Sequence, residues 1–322
     1  MILARHAGVA FIRKKKNFLH SMSTQTGNLS TVLEGLVRRY KQRVPDVSFI
    51  IDAMIKEGIV TSEGEIENDH IAFRTLGVPH LGIASLEKVF MHFGYQKRDY
   101  YFFKEKKLNA WWYAPPAKGF PRIFISELRL DDLGVQSQAV IKSYTNAIAT
   151  DPVDSLDLDD PAAVDLFLHS SLWRLPELKD YELLAAESEY AAWAIYNRYY
   201  LNHFTIAVHN LKEGYNTIEA FNSFLERNGI LLNDSGGKTK RSPDGGLLQS
   251  STVAQLVQGE FANGEKKMIP GSYVEFAERK VLDAYKNLPQ QEILPQHRRE
   301  GFEAANADKI FESTYLEQTE KR

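Results

Sequence analysis

The chain of 322 residues contains no cysteine. That excludes disulfides, iron–sulfur clusters, thiolate zinc sites and a cysteine nucleophile, and leaves histidine, aspartate and glutamate as the metal ligands and acid–base groups. A charge excess is also lacking: 39 Lys and Arg stand against 42 Asp and Glu, a formal net charge of -3. With no basic field, nucleic acid is not the expected partner; a small solute is. No apolar run reaches the length of a bilayer span, so no membrane association is expected. Acids are missing from the first 33 positions, which instead carry Arg5, Arg13, Lys14, Lys15 and Lys16, followed by Ser21, Ser23, Thr24 and Thr26. A cytoplasmic protein with a ragged basic end is the expected reading; a presequence for the mitochondrial or plastid matrix, with Met22 as an alternative start, is the alternative.

What the chain does have is a repeat. His70 opens the apolar run Ile71-Ala72-Phe73-Arg74-Thr75-Leu76, and about 130 residues later His203 opens Phe204-Thr205-Ile206-Ala207-Val208. Period-2 alternation, turn residues and 3.6-residue periodicity then divide the chain. Residues 1–28 are basic, disordered or a presequence, and 29–65 are a helical preface in which Pro45 breaks the pattern. Residues 66–134 read as strand (Ile66 to Leu76), helix (Ser85 to Phe93) and strands at Tyr100 to Phe103, Leu108 to Tyr113 and Arg122 to Leu130, a βαβββ module. Residues 135–200 form a helical insertion in which the acidic stretch Asp151 to Asp160 looks like an exposed linker.

Residues 201–281 repeat the βαβββ order, with strand His203 to Val208, helix Thr217 to Asn228, strands Leu247 to Leu256 and Ser272 to Lys280, and one further strand expected near Ile230 to Leu232. Residues 282–322 are polar and mostly helical. The expected class is α+β, two modules forming a half-open, barrel-like sheet. The aromatic pair of segments Tyr100-Tyr101-Phe102-Phe103 and Trp111-Trp112-Tyr113 is expected to fill the core.

On a strand, residues i, i+2 and i+4 share a face, so His70, Ala72 and Arg74 point the same way. At ~3.3 Å per residue the Cα atoms of His70 and Arg74 lie ~13 Å apart, which leaves room for a short acid between a metal and a guanidinium. Glu275 sits in the last strand of the second module as Glu127 does in the last strand of the first, so approximate twofold symmetry is expected to gather His70, His203, Glu127 and Glu275 in one cleft. Two imidazoles and one carboxylate with open positions suit a non-haem Fe(II) oxygenase. Four protein ligands suit an isomerase with a metal-bound water. Glu127 is read as a ligand, an acceptor for a histidine N–H or a partner of Arg129, with a non-ligand role preferred. His80, His92 and His209 are expected to be structural or exposed. Gly236-Gly237-Lys238-Thr239 lacks Walker A spacing and reads as a loop.

The segments Asn68-Asp69-His70-Ile71-Ala72-Phe73-Arg74-Thr75, Asn202-His203-Phe204-Thr205 and Ile269-Pro270-Gly271-Ser272-Tyr273-Val274-Glu275-Phe276-Ala277-Glu278-Arg279, with Phe311-Glu312-Ser313-Thr314 near the end, resemble the 2-oxoadipate dioxygenase/decarboxylase family of the vicinal-oxygen-chelate superfamily. The resemblance implies that His70, His203 and Glu275 bind Fe(II) and that Arg74 engages the substrate carboxylate. It further implies oxidative decarboxylation of 2-oxoadipate with O2 to 2-hydroxyglutarate and CO2, a step of lysine breakdown, without a separate 2-oxo-acid co-substrate. A glyoxalase-like isomerase or lyase on the same fold, and a binding module with structural histidines, are the alternatives.

Overall fold

The structure, a computed structural model, describes residues 25–322; the basic lead read as a presequence lies almost wholly outside them. A first helix, α1 (residues 25–43), runs into α2 (Pro45–Lys56), where Pro45 occupies the first helical turn and needs no N–H partner. The first module follows as β1 (Asn68–Gly77), α3 (Gly82–His92), β2 (Gln96–Phe103), β3 (Leu108–Ala114) and β4 (Arg122–Arg129). The insertion holds α4 (Val135–Thr145), α5 (Pro161–Leu168), α6 (Leu178–Glu187) and α7 (Glu189–Asn197). The second module is β5 (His203–Ala207), α8 (Ile218–Arg227), β6 (Lys240–Arg241), β7 (Leu247–Ser251) and β10 (Tyr273–Arg279), with a separate hairpin, β8 (Leu256–Glu260) and β9 (Lys266–Pro270), inserted before its last strand. Two short helices, α9 (Ala304–Phe311) and α10 (Leu316–Thr319), end the chain. No described helix is long and apolar enough to cross a membrane.

Both modules join one eight-stranded sheet in the order β2-β3-β4-β1-β5-β10-β7-β6. Each half has the same plan, its first strand parallel to its last: β1 beside β4, β5 beside β10. The halves meet where β1 and β5 pair antiparallel, with Ala72 opposite His203. That antiparallel seam is the local twofold axis, and it brings the two histidines of the repeat together.

Strand β1 is buried along nearly its whole length, as expected of a central strand covered on both faces. Phe73 faces Phe90 of α3 (ring centroids 5.4 Å), and Phe276 of β10 faces Phe221 of α8 (5.2 Å). The helices of the two modules therefore cover one face of the sheet, and the residues alternating with these, His70, Ala72 and Arg74 on β1 and Tyr273 and Glu275 on β10, face the other. Helix α9 touches both outermost strands, β2 and β6, and bridges the open side of the half-barrel.

Five expectations are corrected. The further strand of the second module, second in its chain order, is Lys240–Arg241, directly after the run Gly236 to Thr239 read as a loop, while Leu232, in the segment where that strand was expected, makes only an isolated bridge to Thr252. The expected strand from Leu247 to Leu256 stops at Ser251, and Leu256 starts the separate hairpin. Tyr100 and Phe102 do not fill the core; they are 48% and 53% exposed on the edge strand β2, whereas Trp112 and Tyr113 are buried. Asp151 is no free linker: it accepts from the Ser85 hydroxyl (2.7 Å) and pairs with Lys88 (2.9 Å). Residues 282–301 hold only short turns, and the segment after them supplies Phe302, Ile310 and Phe311 to the interior.

Helix α3 begins at Gly82, ahead of the expected Ser85, because Glu127 reaches across from β4 to accept the Ile83 N–H at 3.0 Å. A carboxylate at the positive end of the helix satisfies one of its free N–H groups. Gly82 has φ +76°, and a Cβ there would lie 2.7 Å from Glu127 Oε2, so glycine serves both the backbone and the approach of the acid.

Candidate metal centre

The side chains of His70, His203 and Glu275 converge on one point at the seam between the modules. His70 Nε2 lies 3.3 Å from His203 Nε2 and 3.4 Å from Glu275 Oε1, and His203 Nε2 lies 3.1 Å from Glu275 Oε2. All three are buried, and among the described residues they are the group of His, Asp and Glu able to hold a metal ion. Separations of 3.1–3.4 Å are those of neighbouring donors around a cation with bonds of ~2.0–2.2 Å, so the donor set fits a metal.

Each imidazole is set for that role by the residue before it. His70 Nδ1 lies 2.8 Å from Asp69 Oδ1, and His203 Nδ1 lies 3.2 Å from Asn202 Oδ1. An N–H donated to these oxygens fixes the tautomer with the Nε2 lone pair aimed at the centre. Neighbours on a regular strand point to opposite faces, but the β1–β5 register shifts between Asn68 and Ile71, and this irregularity lets Asp69 turn back to the ring of His70. Asp69 is itself gripped by Arg279 through two oxygens (2.7 and 2.9 Å) and by Arg122 (3.4 Å). Glu275 Oε1 accepts from Gln249 Nε2 at 2.6 Å, and Gln249 Oε1 accepts from Asn306 Nδ2 of α9 at 3.0 Å.

Burial alone would lower the pKa of His70, but the carboxylates of Glu275 and Asp69 outweigh it and raise it. Burial dominates at His203, with the charges of His70 and Arg74 adding to it, and pushes it down to about 3, so that ring is neutral. Burial opposes ionisation of Glu275, yet the two histidines and the Gln249 hydrogen bond hold it below the usual carboxylate range. Asp69 is well below that range because Arg279 and Arg122 overcome its burial.

Glu127 does not join the cluster. The parallel register sets His70 opposite Arg122 and His203 opposite Tyr273, so the counterpart of Glu275 is Phe124, two residues beyond Arg122. Glu127 instead corresponds to Glu278, which accepts the Ile218 N–H of α8 at 2.8 Å as Glu127 accepts that of Ile83. Both acids cap helices, and the expected pairing of Glu127 with Glu275 is off by one turn of the strand pleat and a half. Arg129 bonds Asp132, not Glu127. With Phe124 at the fourth place, the cluster has three protein donors.

Arg74 lines the same cavity, 1% exposed, flanked by the rings of Tyr190 and Trp193 at 5.2 Å each. Its Nη1 donates to Thr314 Oγ1 and its Nη2 to the Phe311 carbonyl, both at 2.9 Å, while Nε has no partner. The cavity is completed by Phe124, Phe302, Ile310 and Phe311. His209 accepts the Arg279 N–H and is structural, His92 pairs with Asp159, and His80 lies in an exposed turn. Sequence reasoning missed Asp69, Asn202, Gln249 and Asn306; the only sequence trace is the acid or amide directly before each histidine.

A duplicated βαβββ sheet with a His–His–Glu cluster on its seam is the fold of the vicinal-oxygen-chelate, glyoxalase-like class, carrying a candidate metal centre. A Ralstonia eutropha protein assigned to the glyoxalase superfamily shares the fold at TM-score 0.63 and 20% identity over 85% of each chain. Within that class the chain belongs to the 2-oxoadipate dioxygenase/decarboxylase family, whose profile matches residues 32–294. It is 48% identical over 265 residues to the chloroplastic 2-oxoadipate dioxygenase/decarboxylase of Arabidopsis thaliana, covering 79% of this chain and 70% of the relative. The chloroplastic/amyloplastic rice enzyme of that name is 42% identical over 303 residues, 91% of this chain and 80% of the relative. The crystal structure of hydroxyglutarate synthase from Oryza sativa in complex with 2-oxoadipate is similar at TM-score 0.83 and 41% identity, covering 93% of this chain and 95% of that one.

Proposed function

We propose that the protein is an Fe(II)-dependent dioxygenase that converts 2-oxoadipate and O2 to 2-hydroxyglutarate and CO2, in the plastid, as a step of lysine breakdown. The observation that carries this reading is the asymmetry of the duplicated site: three buried donors, and Phe124 in the register position of a fourth. A set of two histidines and one carboxylate keeps positions free for a chelating 2-oxo acid and for dioxygen, whereas a four-ligand isomerase site would need an acid at position 124. The plastid location rests on the relatives named as chloroplastic.

Bound at these three residues, Fe(II) supplies the one-electron chemistry that dioxygen needs and a chelation point for the keto and carboxylate oxygens. The rest falls to the chain. The His70 and His203 rings are held in one tautomer by Asp69 and Asn202. Arg74 binds a substrate carboxylate and thereby fixes the acid's direction, a contribution of positioning. Phe124, Phe302, Ile310 and Phe311 keep water from the reacting carbons. In the balance of atoms the carboxyl carbon leaves as CO2 and the keto carbon becomes a carboxylate. One atom of dioxygen enters that carboxylate and the other the new hydroxyl.

Oxygen uptake and CO2 release with Fe(II) and 2-oxo dicarboxylates of different length test the assignment. The expected result is preference for the six-carbon acid with one O2 consumed per CO2 released. Turnover that persists without oxygen, or no uptake with any acid of the panel, would overturn it.

A further inference from the structure

Three polar atoms that line the metal cavity are buried donors without an acceptor: Arg74 Nε, Tyr273 Oη and Asn202 Nδ2. A buried donor left unpaired loses its hydrogen bonds to water without replacement, so three in one small cavity mark the place of an acceptor-rich ligand. Two of them stand together. Tyr273 and Glu275 alternate onto the same face of β10, and the phenol ring of Tyr273 lies against His203 (ring centroids 4.9 Å). Its hydroxyl end lies within the field of Arg74, which reaches the cavity from β1.

The backbone of Tyr273 is fixed from behind, where its carbonyl accepts from Tyr40 of α1. The ring itself is buried and packed on His203, which leaves it little freedom to turn its hydroxyl elsewhere. The twofold relation reinforces the point: the counterpart of Tyr273 in the first module is Arg122, which is turned to Asp69 and Glu300, so the phenol is an addition of one half only.

We propose that Tyr273 is a specificity-determining residue whose hydroxyl, with Arg74 Nε, binds the carboxylate of the substrate that takes no part in chelation. Resting on the reading of the site as one for 2-oxo dicarboxylates, it adds a second donor to Arg74 and makes the phenol the group that separates a dicarboxylate from a monocarboxylate of equal length. A site built to hydrogen-bond a polar group rejects the analogue that lacks it, because its own donors then stay unpaired.

The test is Tyr273→Phe, which removes one oxygen. Binding to the metal-free protein is measured calorimetrically with adipate and with hexanoate, and KM with 2-oxoadipate and with 2-oxohexanoate on the Fe(II) enzyme. The wild type is expected to prefer adipate to hexanoate, and the variant to bind adipate about tenfold more weakly with hexanoate unchanged. Its melting temperature should hold or rise, since an unpaired buried hydroxyl is gone; a merely structural tyrosine would lower it. Should Tyr273→Phe not fold, Arg74→Lys, which keeps the charge but not the Nε donor, must show the same loss for adipate alone. Equal losses for adipate and hexanoate, or a wild type that does not distinguish them, overturn the proposal. A wild type that prefers adipate yet consumes no oxygen with any 2-oxo acid refutes the dioxygenase reading and leaves the anion site standing.

Discussion

Glu127 and Glu278 occupy equivalent places in the two halves of the sheet, each five residues beyond the residue opposite its module's histidine and each accepting an N–H from the first turn of its module's helix. The two halves thus share a helix cap, while only the second places a carboxylate in the His–His–Glu cluster.

If these acids serve the fold, Glu127→Ala and Glu278→Ala each lower stability by about 1–2 kcal/mol, the cost of losing a cap. Denaturant unfolding measures this, and metal content per folded protein should not change. Loss of metal in Glu127→Ala with stability intact would make Glu127 a ligand after all.

Metal uptake by the metal-free protein should release a proton and weaken toward acid. The raised pKa of His70 means that its protonated form stabilises the metal-free fold below the ordinary histidine value, and that this contribution is lost as pH rises through the raised one. A cation has to displace that proton. His203, pushed down to about 3, has none to give near neutrality. Calorimetry in buffers of different ionisation enthalpy should therefore count about one proton per cation at mildly acid pH, falling toward zero as pH rises.

Gln249 should matter to the metal without touching it. The Nδ2 of Asn306 faces the carbonyls of Lys240 and Leu247 (3.4 Å each), which orients its amide and, through it, the Gln249 amide toward Glu275. Gln249→Leu is expected to weaken metal binding about 10–100-fold, as losses of such outer partners do. Asn306→Ala should act in the same direction and less. Competition against a chelating dye reads both.

How much of this the sequence disclosed follows from which rules act locally. The period of a strand put His70 and Arg74 on one face, and repetition of His203 marked the second strand. Both are local properties, and both hold. The match of Glu127 to Glu275 failed because register between strands is set by hydrogen bonding across the sheet, which similar surroundings along the chain do not encode. Asp69 escaped notice because ideal alternation turns it away from His70, and only the irregular register of β1 turns it back. Strand β6 hid in Lys240 and Arg241, whose polarity carries no strand signal. The cavity wall of Phe302, Ile310 and Phe311 comes from a segment whose own pattern does not say which face of the sheet it covers; tertiary ties such as Arg74 to Phe311 bring it over the site.

That wall also closes the site. The cavity measures about 20 Å³, room for about one water, so a six-carbon acid enters only when a side of it moves. Residues 302–319 are the natural side, because Phe302, Ile310 and Phe311 line the cavity from outside the sheet that holds the other wall. Hydrogen exchange of this segment should slow when 2-oxoadipate binds, and exchange in β1 and β5 should stay unchanged.

The central claim is that His70, His203 and Glu275 hold one cation. Crystals grown with Fe(II) under nitrogen and measured at the iron absorption edge test it most directly. One anomalous peak within bonding distance of both Nε2 atoms and a Glu275 oxygen is the predicted result; a peak bound elsewhere, or none beside these three residues in iron-loaded crystals, would contradict it.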